Sequence, residues 1–148
     1  MEIWVDADAC PNPVKEILFR AAQKRGLNLT LVANQALRVP PSPFIRQVRV
    51  EAGFDIADHY IAQRVQPGDL VITADIPLAD AVVSRRAQAL NPRGEIYTPE
   101  TIGQRLAVRN LMDELRGAGL VSGGPPALGA VERKAFADAL DRLLARRP

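Results

Sequence analysis

Glu2-Ile3-Trp4-Val5-Asp6-Ala7-Asp8-Ala9-Cys10-Pro11-Asn12-Pro13 carries an apolar run into two carboxylates and then into a helix start. Residues 2 to 5 read as the first strand of a buried sheet, and Asn12 followed by Pro13 supplies an N-cap and a first helical turn with its φ already set. A strand that ends in acids and turns into a helix marks the carboxyl edge of an open α/β sheet, where ligands bind. Asp69-Leu70-Val71-Ile72-Thr73-Ala74-Asp75-Ile76-Pro77-Leu78-Ala79-Asp80 repeats the design. If both strands belong to one parallel sheet, Asp6, Asp8, Asp75 and Asp80 converge at a single edge.

Outward from these two stretches the βα alternation continues. Val14, Ile17, Leu18 and Ala21 recur at helical spacing from Pro13 to Arg25, and Gly26 is placed to end that helix in a left-handed cap. Leu27 to Ala33 fits a second strand, parallel to the first through a right-handed crossover. Asn34 to Ile45, with Pro40-Pro41-Ser42-Pro43, is an irregular loop leaving the same edge as Asp6, and Arg46 to Val50 alternates like a half-exposed third strand. Gly53 to Val65 is a helix with Ile56, Tyr60, Ile61 and Val65 as its buried stripe, started by Asp55 or Asp58. Leu70 to Ala74 is the strongest strand, and Asp75-Ile76-Pro77 opens a helix through about Arg86.

Ala87 to Leu90 is a short strand, Asn91-Pro92-Arg93-Gly94 a tight turn and Glu95-Ile96-Tyr97 a further short strand. Thr98-Pro99 caps a helix with Ile102, Leu106, Leu111 and Leu115 on its inner side, ending near Gly117. Val121 to Pro126 is a Gly/Pro linker ahead of a last amphipathic helix bearing Phe136, Leu140, Leu143 and Leu144, which either packs back or pairs with another copy in a homodimer. The expectation is one domain over residues 1–148: an α/β core at 1–98, built as a three-layer sandwich with a mainly parallel central sheet, and a C-terminal helical extension at 99–148.

Composition narrows the class. At 148 residues and 47% hydrophobic, the chain supports one domain with a substantial core. No apolar run approaches the roughly 18 residues of a membrane span, and the N-terminus lacks a signal-peptide pattern, so a cytoplasmic location is expected. One cysteine, Cys10, and one histidine, His59, exclude an internal disulfide and a Cys/His zinc cluster within one chain. The net charge is only +2, but Lys15, Lys24 and Lys134 are the only lysines, so the cations are overwhelmingly Arg, a residue that grips phosphate bidentately.

Several acids from distant parts of a chain are what Mg²⁺ or Mn²⁺ requires, and phosphodiester hydrolysis commonly uses such ions. The candidates are Asp6, Asp8, Asp58, Asp75 and Asp80. Each alone also has a structural reading: Asp75 as a helix cap, Asp8 as a turn acceptor, Asp58 as a helix-start charge. As a set, beside a buried sheet, they need a compensating cation or donors. Arg93, Arg105 and Arg109 are candidates to hold substrate phosphates. Cys10 with His59 could form a thiol and base pair, against which a Cys before Pro reads as a small buried residue.

Asp6-Ala7-Asp8-Ala9-Cys10-Pro11, Ala57-Asp58, Pro67 to Ala79, Asn91 to Gly94 and Leu111 to Arg116 resemble the YaiI/YqxD family of small bacterial proteins over essentially the whole length. That family is similar to the PIN-like metal-dependent nucleases. The resemblance implies a ribonuclease with RNA as partner and Mg²⁺ or Mn²⁺ as cofactor, and it carries the catalytic roles to Asp6, Asp58 and Asp75. Asp6 and Asp75 become the main metal ligands, with Asp8 or Asp80 at a second metal position. Many PIN-like relatives have a further acid two residues after the fourth-strand acid, and here that position is Pro77. Val5-Asp6-Ala7-Asp8 also resembles the first motif of haloacid-dehalogenase phosphatases, with Asp6 as nucleophile and Asp8 as general acid, but the lysine that mechanism uses is absent from 25 to 133. A non-catalytic RNA- or partner-binding module, which Pro77 favours, is the third class.

Overall fold

The computed structural model describes residues 1–53, 55–119 and 128–145. Six strands form one sheet in the order β3-β2-β1-β4-β5-β6, with β1 Glu2–Asp6, β2 Asn28–Ala33, β3 Ile45–Arg49, β4 Leu70–Ile72, β5 Gln88–Leu90 and β6 Ile96–Tyr97. All neighbours are parallel except β5 and β6, which the Asn91–Gly94 turn joins as an antiparallel pair. The helices are α1 Asn12–Arg25, α2 Ile56–Arg64, α3 Ile76–Ser84, α4 Ile102–Gly117 and α5 Ala130–Ala145. Strand order reverses between β1 and β4, so their carboxyl ends diverge into the crevice of an open α/β sheet.

Period-two alternation divides the side chains between two layers. Ile3, Val5, Leu29, Leu31, Leu70, Ile72 and Leu90 face α1 and α5, whereas Val32, Val71 and Ala89 face α2, α3 and the start of α4. The result is the expected three-layer sandwich. Phe136, Leu140, Leu143 and Leu144 are buried beside Val14, Leu18 and Ala22 of α1, so α5 packs back and completes a layer. Gly94 permits this closure: with φ of 91°, it lies where an added Cβ would come within 2.6 Å of the Ala135 backbone.

Element ends differ from the sequence reading in ways with local causes. Pro11, extended at φ −64° and ψ 148°, is the residue before α1, and Asn12 is its first residue, with no side-chain cap. Gly26 closes α1 in the left-handed region at φ 64°. β4 stops at Ile72 because Thr73 turns its hydroxyl into the crevice, although its N–H still bonds Leu90 O at 3.1 Å. Arg86, expected as the end of α3, lies beyond it at φ 66°. The face assigned to α4 is corrected in part: Ile102 is buried and Leu106 and Leu115 are half-buried, but Leu111 is 53% exposed, because α4 packs mainly on α3 and its later turns lack a sheet beneath them. The Gly/Pro linker at 121–126 lies outside the described residues, as does Phe54. Among the described residues no helix is long and apolar enough to cross a membrane.

The amino edge of the β1–β4 pair is fastened by Asp69. Its buried carboxylate accepts Glu2 N at 3.0 Å, Trp4 Nε1 at 3.2 Å and Gln66 N at 2.9 Å. Removing it strands donors from three segments. Asp69→Ala is expected to lower unfolding free energy by about 3 kcal/mol, and Asp69→Asn, which keeps one acceptor oxygen, by less. Urea melts followed by the fluorescence of Trp4, the sole tryptophan, read this directly, and equal stability of Asp69→Ala and wild type would refute the fastening role.

Candidate functional site

Parallel pairing of Val5 with Ile72 makes Asp6 and Thr73 the next residues along adjacent strands. Thr73 Oγ1 donates to Asp6 Oδ2 at 3.1 Å and accepts the Asp75 N–H at 3.0 Å, which turns the chain out of β4. Asp75 then caps α3, its Oδ1 accepting Leu78 N at 2.9 Å. From the neighbouring helix, Asp55 precedes α2 and Asp58 lies in its first turn. Carboxylate oxygens of Asp55, Asp58 and Asp75 all lie within 4.8 Å of one another. They line a cleft of about 420 Å³ together with His59, Ala62, Pro77, Leu78, Ala81 and Arg109.

Repulsion governs this group. Burial, then the charges of Asp6 and Asp75, a hydrogen bond to Asp75 and the charge of Asp55, push Asp58 up to about 7. Asp6 is also raised, chiefly by burial; the Thr73 hydroxyl opposes the shift, while Asp75 and Asp8 add to it. The positive poles of α2 and α3 favour negative charge at their N-termini, yet Asp58 still resists ionisation. The pocket therefore holds more negative charge than its own donors neutralise.

Asp6, Asp58 and Asp75 are thus electrostatically joined. Asp8 is exposed and turned toward the loop after β2, where its Oδ2 accepts Asn34 N at 2.8 Å, though its charge still acts on Asp6. Asp80 lies on α3 outside the cleft lining, where its carbonyl accepts Ser84 Oγ at 2.9 Å. Of the three arginines, Arg109 lines the cleft, with Asp113 3.5 Å away. Arg105 pairs with Glu95, and Arg93 sits 3.7 Å from Glu132 of α5, so both have acid partners elsewhere. Cys10 is buried in the α1 layer, and burial pushes its thiol up to about 12; it does not share a cavity with His59 on the opposite layer.

Asp55 is the member that sequence reading missed as a site residue. It adopts φ 62°, a left-handed conformation that Asp tolerates better than most residues. The visible signal was the Asp55-Ile56-Ala57-Asp58 spacing, which brings two acids to one helix start.

Residues 4–146 match the family model described as "Uncharacterized BCR, YaiI/YqxD family". The chain is 66% identical to a UPF0178 protein of Halorhodospira halophila, over all of this chain and 98% of the relative. It is 64% identical to a UPF0178 protein of Aeromonas hydrophila over 99% of this chain and 97% of the relative, and 61% identical to one of Shewanella amazonensis over 100% and 99%. No solved structure is a significant match.

The acid cluster has a signature in stability. An acid whose folded pKa lies above its unfolded value keeps its proton only in the folded state, so stability falls as pH rises between the two values. For Asp58 that window runs from its ordinary 3.8 to about 7. With chelator present, thermal midpoints are expected to decline across this range, and Asp58→Asn should flatten the decline and melt higher than wild type at pH 8. A pH profile unchanged by the substitution would contradict the repulsion.

Proposed function

The chain belongs to the YaiI/YqxD family, and we propose that it is a divalent-metal-dependent phosphodiesterase acting on RNA. The observation carrying this reading is the gathering of Asp55, Asp58 and Asp75 within 4.8 Å at the strand-order reversal. Hard oxygen donors at that spacing suit Mg²⁺ or Mn²⁺, and their mutual repulsion is what a bound cation relieves. Asp55 is the third acid of the cluster, while Pro77 stands two residues after Asp75. The choice of RNA rests on the resemblance to PIN-like nucleases and on the Arg-dominated cation content.

When bound, the ion would lower the pKa of water and offset charge on the phosphodiester. The chain's own groups act around that chemistry. Asp55, Asp58 and Asp75 would hold the ion, and Asp58 would release its proton on loading. Asp6, fixed by the Thr73 hydroxyl, adds negative field behind the ligands. Arg109, reaching the cleft from α4, would grip a non-bridging phosphate oxygen.

Calorimetric titration of Mn²⁺ into wild type and Asp75→Asn tests the reading. Asn still caps α3, so the variant should stay folded. Wild type is expected to bind at micromolar to sub-millimolar concentration and to cleave RNA, whereas Asp75→Asn should lose roughly a hundredfold or more in both. Mn²⁺ affinity of the wild type should rise as pH passes upward through about 7, where Asp58 gives up its proton. Folded wild-type protein that takes up no Mn²⁺ would favour a non-catalytic binding module instead.

A further inference from the structure

A second hollow, of about 270 Å³, adjoins the acidic cleft across His59, which lines both. Its remaining walls are Val50, Ile56, Tyr60, Gln63 and Arg64, with no acid among them. Tyr60 is clamped on two sides: the Trp4 ring meets it edge-on with centroids 6.4 Å apart, and the Arg64 guanidinium carbon lies 3.6 Å from its ring centre. Arg64 Nη1 also donates to the Tyr60 carbonyl at 3.2 Å, so the guanidinium is held flat without a carboxylate partner among the described residues. Arg64 and His59 are exposed, leaving planar surfaces open to solvent. Their positions relative to the acids follow from α2 itself: Asp58 and Ala62 face the cleft, Tyr60 and Gln63 face the hollow, and His59 forms the ridge between them. Side chains three or four apart on a helix are separated by about 5–6 Å, so the ridge is narrow.

We propose that the His59–Tyr60–Gln63–Arg64 hollow is a nucleobase subsite, which seats the base of a single-stranded nucleotide beside the phosphate held at the acidic cleft. Its position as a flanking subsite rests on the RNA phosphodiesterase reading above. Aromatic and guanidinium planes stack on any base, Val50 and Ile56 give the hollow an apolar floor, and the Gln63 carboxamide offers both a donor and an acceptor to a base edge. The contrast between neighbouring hollows matches the alternation of a nucleic-acid strand. An acid-lined cleft that needs a cation receives the phosphate, and an acid-free hollow with a rigid Arg receives the base.

The test is fluorescence anisotropy of the full chain with a labelled, nuclease-resistant 2′-O-methyl RNA strand and an abasic strand of equal length, both in chelator. The double variant His59→Ala/Arg64→Ala is expected to bind the base-bearing strand about tenfold more weakly, and the abasic strand within twofold of wild type. Arg64→Lys keeps the charge but not the plane, so a stacking role predicts a loss on the base-bearing strand that the abasic strand does not share. Equal losses on both strands, or full affinity in Arg64→Lys, would overturn the subsite in favour of simple charge attraction. Wild type that fails to prefer the base-bearing strand would overturn it as well. Because no metal is present, base-dependent binding without Mn²⁺-dependent cleavage would sink the phosphodiesterase reading and retain the base site; cleavage without base-dependent binding would do the reverse.

Discussion

The parallel pairing of β1 with β4 is the constraint on which the rest depends. Ile3 opposite Leu70, Trp4 opposite Val71 and Val5 opposite Ile72 seat apolar side chains into both layers at once. A one-residue slip would exchange the faces and drive Trp4 into the α1 layer, so the register is strongly specified. At one end Asp69 ties Glu2, Trp4 and Gln66 together; at the other the same register puts the Thr73 hydroxyl against Asp6. One pairing thereby fixes a structural acid at the amino edge and an acidic pocket at the carboxyl edge. The two carboxylates differ in role because Asp69 has donors enough for its charge, whereas Asp6 has one hydroxyl and several neighbouring negative charges.

The pocket opposes the stability of the fold that makes it. Helix N-termini usually supply the cheapest compensation for a carboxylate, and two of them, those of α2 and α3, are used here. They do not suffice, since Asp58 still favours its protonated form up to about pH 7. Asp55 meanwhile occupies a left-handed backbone conformation at the entrance to α2. Strain and repulsion at one place are tolerable because the sheet around it is packed from both sides, and such concentrations are characteristic of working sites.

Much of the architecture was legible because local and global signals agree in it. The apolar runs of β1, β2 and β4, the spacing of α1 and the Gly26 stop each point to the same α/β alternation. The site was less legible. Asp6, Asp58 and Asp75 stand out as candidates from strand ends, a helix start and resemblance, but Asp55 reads in sequence as an ordinary helix starter, and its nearness to Asp75 shows only in the folded chain. α4 was misread for a related reason. The spacing of Ile102, Leu106, Leu111 and Leu115 predicts a buried stripe, yet periodicity states that a face is apolar without stating that a layer lies beneath all of it. The arginines show the same want of partner information: Glu95 and Glu132 lie beside Arg105 and Arg93, which spacing along the chain does not reveal, whereas Arg109 lines the cleft.

The same charge geometry separates the two enzyme readings. A phosphatase built on Asp6 would need an approaching phosphate to pass Asp55, Asp58 and Asp75 and reach a carboxylate that is not part of the cleft lining and whose Oδ2 already accepts the Thr73 hydroxyl. Against those negative charges the cleft offers Arg109 and no lysine. Adding a doubly charged phosphomonoester to such a pocket increases the repulsion that already keeps a proton on Asp58. A bound divalent cation would change the sign of the problem: the acids that repel one another would serve as its ligands, and a singly charged phosphodiester would meet less repulsion with Arg109 alongside. The excess of carboxylate over cation is thus the ground on which we propose metal-dependent chemistry here and not nucleophilic attack by Asp6.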